Sequence, residues 1–298
     1  MLLGFRLPHF GPAASPEAIR SAAELAEAGG WHAVWASDRV AVPADRPGEL
    51  AFLDSYIQTY ETLVTLAFVA ASTTRIRLGT SAVVVPQRQL MLLARQVASV
   101  DALSGGRMMF GVASGWAEAE FAAAGAGDRF RRRGKILDES IAALRALWTE
   151  SPVAFSGREV AFPAVEFAPR PVQAGGIPII VAGNSAAARR RAALIGDGWN
   201  PTALGAADMA SGMAEIRRAR LELGRDGSFV SVGSLRLEGT PAAAREALQP
   251  YADAGVDLMI CAFTDSDAPT QLARLRDFSE RVLPAFQEHS GNVRQPAS

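Results

Sequence analysis

One cysteine in 298 residues is too few for an internal disulfide. Cys261 lies in the apolar run VDLMICAF and reads as core, in keeping with a reducing cytoplasm. Histidine is nearly as scarce: His9, His32 and His289 lie far apart, with no Cys/His spacing that suits zinc, so no metal site is expected. The charges almost cancel, 30 Lys plus Arg against 31 Asp plus Glu for a formal net of −1, and no basic face for nucleic acid is implied. Long apolar runs are missing too. The most apolar helical stretch, residues 63–71, falls well short of the ~20 residues a bilayer demands. The chain opens on a strand-like LLGFRLP with no basic region ahead of a long apolar one, so no secretory signal and a cytoplasmic location are expected. Neither a GxSxG nucleophile elbow nor a Walker-type phosphate loop is present.

What is present is a regular alternation. Apolar strand candidates fall at residues 2–7, 33–37, 76–85, 107–113, 178–182, 198–202, 229–237 and 256–262, with helical patterns between them. Helix ends carry capping chemistry: Ser15-Pro16-Glu17 opens the first helix, Gly29-Gly30 closes it, and Thr240-Pro241 opens a later one. Ile19, Ala22, Ala23 and Ala26 mark the buried face of the first helix. Eight such units predict a closed (β/α)8 barrel, occupying residues 1–286 as a single domain, with 287–298 as a disordered tail. Two segments break the count. One is an insertion after the fourth strand, holding a helix near 135–148 and a Pro-rich passage, FPAVEFAPRPVQAGGIP, that is a poor helix former. The other is the loop 40–53, and both are candidate lids.

The stretch LSGGRMMFGVASGW carries most of the chemistry. A strand apolar on both faces runs into Ala113, Ser114 and Gly115, which leave its carboxyl end free of bulk where α/β folds place ligands. Gly183-Asn184-Ser185 lies between the fifth strand and an alanine-rich helix; backbone N–H groups there suit a phosphate, although Asn and Ser are equally ordinary helix caps. Trp116 and Trp199-Asn200 end strands four and six, as pocket walls or as packing. His9, after the first strand, has a side chain suited to proton transfer and is a catalytic candidate.

WHAVWASDRV, RIRLGTSAVVVPQRQLMLLARQVASVDALSGGRMMFGVASGW and IPIIVAGNSAAARRRAALIGDGWNP together resemble the bacterial-luciferase-like superfamily of flavin and deazaflavin oxidoreductases, above all its coenzyme F420-dependent branch. The resemblance runs over residues 3–286. It implies a (β/α)8 barrel with an insertion after the fourth strand, a homodimer, and hydride transfer between C5 of F420 and a small organic substrate; the apolar helices near 63–71 and 90–103 offer a surface for the dimer. It also implies site residues. Asp38 would hydrogen-bond the cofactor ring edge, a carboxylate being a pure acceptor. Thr80, Ser81, Ala82 and Val83 lie where relatives carry a non-proline cis peptide against the middle ring. Ala113, Ser114 and Gly115 would line the ring site, and Ala182, Gly183, Asn184 and Ser185 the ribityl phosphate. Arg39 is a departure: sugar-phosphate dehydrogenases of this branch place a histidine base after the aspartate, and arginine stays protonated. Arg39 would therefore stabilise an anionic group, or simply pair with Asp45 or Glu49 in the following loop. The alternatives are an FMN-dependent monooxygenase fed by a reductase partner, and a cofactor-free binding protein on the same barrel.

Overall fold

The computed structural model describes residues 1–45, 48–263, 265 and 267–287. Its strands are β1 (Leu2–Arg6), β2 (Ala33–Ala36), β3 (Arg77–Thr80), β4 (Val83–Val84), β5 (Met108–Ala113), β6 (Val153–Ser156), β7 (Ala161–Val165), β8 (Ile179–Ala182), β9 (Gly198–Asn200), β10 (Val230–Leu237) and β11 (Leu258–Phe263). Its helices are α1 (Pro16–Ala28), α2 (Thr62–Ser72), α3 (Leu90–Leu103), α4 (Glu118–Ala123), α5 (Arg133–Thr149), α6 (Ala186–Ile195), α7 (Ala206–Glu222), α8 (Pro241–Asp253), α9 (Ala268–Arg281) and α10 (Leu283–Gln287). The sequence β1-β2-β3-β5-β8-β9-β10-β11 returns to β1 through parallel pairings throughout, which closes an eight-stranded barrel ringed by helices. All eight expected strands are there. The third is not continuous: it divides into β3 and β4, the latter pairing with β5, and the Ser81–Ala82 peptide between them is cis.

Local chemistry sets the helix ends. Ser15 Oγ accepts from Ala18 N at 3.1 Å to start α1, and Ile19, Ala22, Ala23 and Ala26 are its buried stripe. Thr240 Oγ1 does the same for α8, and Ser185 Oγ for α6. The barrel floor is a separate core made of strand residues alone: Ala33, Trp35, Met109, Ile180, Val232, Leu258 and Ile260. Trp35 fills the axis because Gly79 makes room, a Cβ there standing 2.3 Å from the indole. The outer core joins the strands to the helices.

The insertion holds α4, a 3-10 turn at Gly127–Arg132, α5 and an antiparallel hairpin of β6 and β7. The Pro-rich passage, a poor helix former, holds a strand and no helix, and residues of β7 are mostly exposed. Glu139 on α5 caps the hairpin turn by accepting from the N–H groups of Arg158, Glu159 and Val160. Gln287, placed by the sequence reading in the tail, ends α10; residues 288–298 lie outside the described residues. Among the described residues no helix is long and apolar enough to cross a membrane, and no cluster of His, Cys, Asp or Glu suits a metal ion.

Candidate active site

Because every barrel strand runs the same way, the strand ends named above converge. A cavity of about 850 Å³ opens at the carboxyl end and is lined by Asp38, Arg39, Ser81, Ala82, Ala113, Ser114, Gly115, Trp116, Ala182, Gly183, Asn184 and Ser185. One wall is a bay of small residues from the ends of β3 and β5. Gly115 keeps it flat: at φ +79° a Cβ would stand 2.6 Å from Val84 Cγ1 and 2.7 Å from the Phe121 ring. Next to this bay, β8 pairs with β5 and ends at Ala182, and Gly183, with a φ of +124°, turns the chain into α6. The side chain of Asn184 is committed to Thr202, donating to its O at 2.8 Å and accepting from its N at 2.7 Å. Ser185 caps Ala188 N, so what this turn offers an anion is the first backbone N–H groups of α6 and its dipole.

Three expected residues stand apart. Val83 is fully buried in the outer core. Trp199 also faces outward from β9, under α7, and donates from Nε1 to Gly183 O at 2.9 Å. Its neighbour Asn200 takes the inward place, accepting from Ser81 Oγ at 2.7 Å and donating to Val232 O at 2.8 Å. His9 is buried behind the wall. Nδ1 lies 3.0 Å from Leu7 O, and Nε2 lies 3.0 Å from both Ser37 N and Ser37 O, so backbone takes up both ring nitrogens. Burial holds its pKa below the usual histidine range, against the backbone contacts that favour the charged form.

Asp38 is only 2% exposed. Oδ1 accepts from Arg88 Nη2 at 2.6 Å and Thr62 Oγ1 at 3.1 Å, and Oδ2 from Val84 N at 3.0 Å, so the carboxylate fastens β4 to the end of β2. Arg88 also reaches Glu61 at 3.1 Å; burial opposes its charge, but the two carboxylates more than reverse that and raise its pKa. Arg39 pairs with Glu120 of α4, Nη1 to Oε2 at 2.8 Å, a partner beyond the loop acids expected from sequence. Glu120 Oε1 takes Val40 N at 3.0 Å, and the guanidinium lies over the rings of Tyr56 and Trp116. The loop 40–53 contributes Phe52, and the 3-10 turn Gly48–Tyr56 brings Tyr56 beside it.

Among the cavity residues not anticipated as site residues are Arg6, Tyr56, Ser234 and Arg236. Arg6 had a legible signal, a charge closing the otherwise apolar strand LLGFR. Burial pushes its pKa down, Tyr56 opposes that shift and Arg236 adds to it, yet an arginine remains charged. Cys261 is remote from this chemistry, its thiol pushed up to about 12 by complete burial.

Residues 1–296 match the model of the family described as luciferase-like monooxygenase, and the chain belongs to that family of oxidoreductases. An uncharacterised protein of Mycobacterium tuberculosis is 31% identical over 278 residues, 88% of this chain and 93% of that one. The F420-dependent glucose-6-phosphate dehydrogenase of Nocardia farcinica is 32% identical over 187 residues, 62% of this chain and 52% of its own length. Among solved structures, the monooxygenase RslO1 from Streptomyces bottropensis superimposes with a TM-score of 0.80 at 23% identity, covering 96% of this chain and all (100%) of that one, a likeness of fold.

Proposed function

We propose that the protein transfers a hydride between C5 of F420 and a small organic substrate bearing a C=C, C=O or alcohol group. The observation that carries this reading is the pairing, in one cavity, of a flat bay of small residues with the start of α6, which suits a planar ring system with an anionic tail. Gly115 and Gly183 are the cradle positions, since a side chain at either would meet its neighbours. The similarity to an F420-dependent dehydrogenase supports the deazaflavin. When bound, reduced F420 supplies the hydride. The residues of this chain do the rest. Ser81, Ala82, Ala113, Ser114 and Gly115 hold the ring plane, and the α6 turn holds the phosphate. Arg39, fixed by Glu120, stabilises negative charge as it grows on a substrate oxygen. With both nitrogens of His9 committed to backbone, the proton belongs to water or to the Tyr56 phenol. Arg39 cannot serve as a base, so oxidation of a sugar-phosphate alcohol by a histidine at this position does not carry over.

An FMN-dependent monooxygenase, fed by a flavin reductase, is the competing reading, favoured by the family description and the RslO1 fold. Titration of the protein with F420 and with FMN separates them. F420 is expected to bind at least tenfold more tightly, and Gly183→Val to weaken it tenfold or more; tighter FMN binding installs the monooxygenase, and binding of neither leaves a cofactor-free barrel. A homodimer is proposed through the face of α2 and α3, where Val64 is 65%, Leu92 56% and Leu103 77% exposed. Light scattering at micromolar concentration checks it, a monomer ruling it out.

A further inference from the structure

The acids that line the cavity are matched by arginines, and two arginines are left over. Asp38 has Arg88 at 2.6 Å, Glu120 has Arg39 at 2.8 Å, and Asp265, in a smaller pocket alongside, has Arg274 at 3.0 Å on Oδ1 while its Oδ2 is buried without a hydrogen-bond partner. Arg6 and Arg236 line both spaces, and no hydrogen bond or ion pair ties either one among the described residues. Arg6 Nε is buried without a hydrogen-bond partner. Arg6 is half-buried and Arg236 exposed; arginine stays charged, and two guanidiniums with no carboxylate paired to them among the described residues offer their donors to an acceptor from outside the chain.

The barrel register explains how the two come together. Arg236 lies beside Ala262 in the pairing of β10 with β11, and Arg6 stands one step past the Phe5–Cys261 pair on the other side of β11. The two guanidiniums thus rise at one level from strands flanking β11, with a methyl-bearing residue between them. The adjoining pocket, of about 440 Å³, is walled by Leu7, Phe10, Pro12 and Phe263. The α6 turn assigned to the cofactor phosphate follows β8, with β9 between it and Arg236's strand.

We infer that the substrate is an organic carboxylate, its head group held between Arg6 and Arg236 and its apolar body seated in the smaller pocket. The fork geometry of two guanidiniums suits the planar, singly charged head group, and the ring-lined pocket suits an apolar remainder. The inference rests on the redox reading above and adds the substrate's charge and shape.

Calorimetry on the F420-loaded full chain tests it with three probes: 3-phenylpropionate, its uncharged amide, and phenyl phosphate. The acid is expected to bind at least tenfold more tightly than the amide. Arg6→Gln and Arg236→Gln should each erase that preference, and Arg6→Lys restore part of it, while F420 affinity stays within threefold. Equal binding of acid and amide, no binding of any probe at millimolar concentration, or a preference that survives Arg6→Gln overturns the inference. Tighter binding of phenyl phosphate overturns the carboxylate, and loss of F420 by Arg6→Gln reassigns that residue to the cofactor and overturns the substrate role. Should F420 and FMN both fail to bind wild type, the redox reading falls, and the acid-over-amide comparison on the unloaded chain is judged by the same criterion.

Discussion

Arg107 and Arg6 stand at opposite ends of the same barrel and are treated in opposite ways. Arg107, just before β5, uses every donor it has: Nε to Ser104 O at 2.7 Å, Nη1 to Thr73 Oγ1 at 2.8 Å and Ile76 O at 2.9 Å, Nη2 to Ala70 O and Thr73 O at 3.0 Å each. It gathers the carbonyls that α2 leaves free at its end, so the arginine of LSGGR is a structural clamp. Arg6, the last residue of β1, has no partner of this kind. The same side chain closes the structure where strands begin and leaves it open where they finish. Along its axis the barrel sets a packed, closed end against an open, polar one, as its packed floor and polar cavity also do.

Substitutions break or sharpen that contrast. Arg107→Gln should cost about 4 kcal/mol, because several buried carbonyls lose their donors together; urea unfolding measures it, and a loss below about 1 kcal/mol would deny the clamp. At the other end, Arg39→Ala should lower kcat roughly a hundredfold while cofactor affinity changes little. Steady-state kinetics decide between that outcome and full activity, which would leave Arg39 as the partner of Glu120 and nothing more.

A smaller effect comes from His32, at the end where β2 begins. Burial first, and the Arg77 charge second, lower its pKa from 6.5 to about 4. The unfolded chain therefore takes up a proton before the folded one does. The associated stability is present above pH ~6.5, falls by on the order of 3 kcal/mol toward pH ~4, and levels off below. His9 acts in the same direction. The measurement is thus the difference between wild type and His32→Phe: equal pH slopes for the two proteins would remove the effect. Smallest of all, Arg6→Gln should shift stability by less than about 1 kcal/mol, since it breaks no bond; thermal melts of the two arginine variants side by side make the comparison direct.

The barrel was legible because parallel strands buried on both faces are unbroken apolar runs, and the caps at Ser15 and Thr240 marked where helices start. The same property hid which face each residue takes. Trp199 and Asn200 are adjacent in such a run, and nothing local says that the indole turns outward and the amide inward. The motif at Gly183 through Ser185 marked the turn between β8 and α6, but that Asn184 spends its amide on Thr202 depends on a segment brought in from the next strand. The Arg39–Glu120 pair joins positions 81 residues apart, beyond any local pattern. The β6–β7 hairpin escaped notice because its exposed residues show little alternation and Pro163 sits inside it.

Trp199 adds a contact between α7 and the turn that opens α6, two elements that also meet directly where Arg189 pairs with Glu215 at 2.6 Å. Its ring packs against Gly212 of α7 so closely that a Cβ there would stand 2.5 Å from the indole, while Nε1 grips the carbonyl of Gly183. The indole is a lever with its handle on the outer helix and its tip on the turn that opens α6. A residue outside the cavity thereby fixes the turn that the proposed function assigns to the cofactor phosphate, so a substitution at Gly212 reaches that turn without touching the cavity lining.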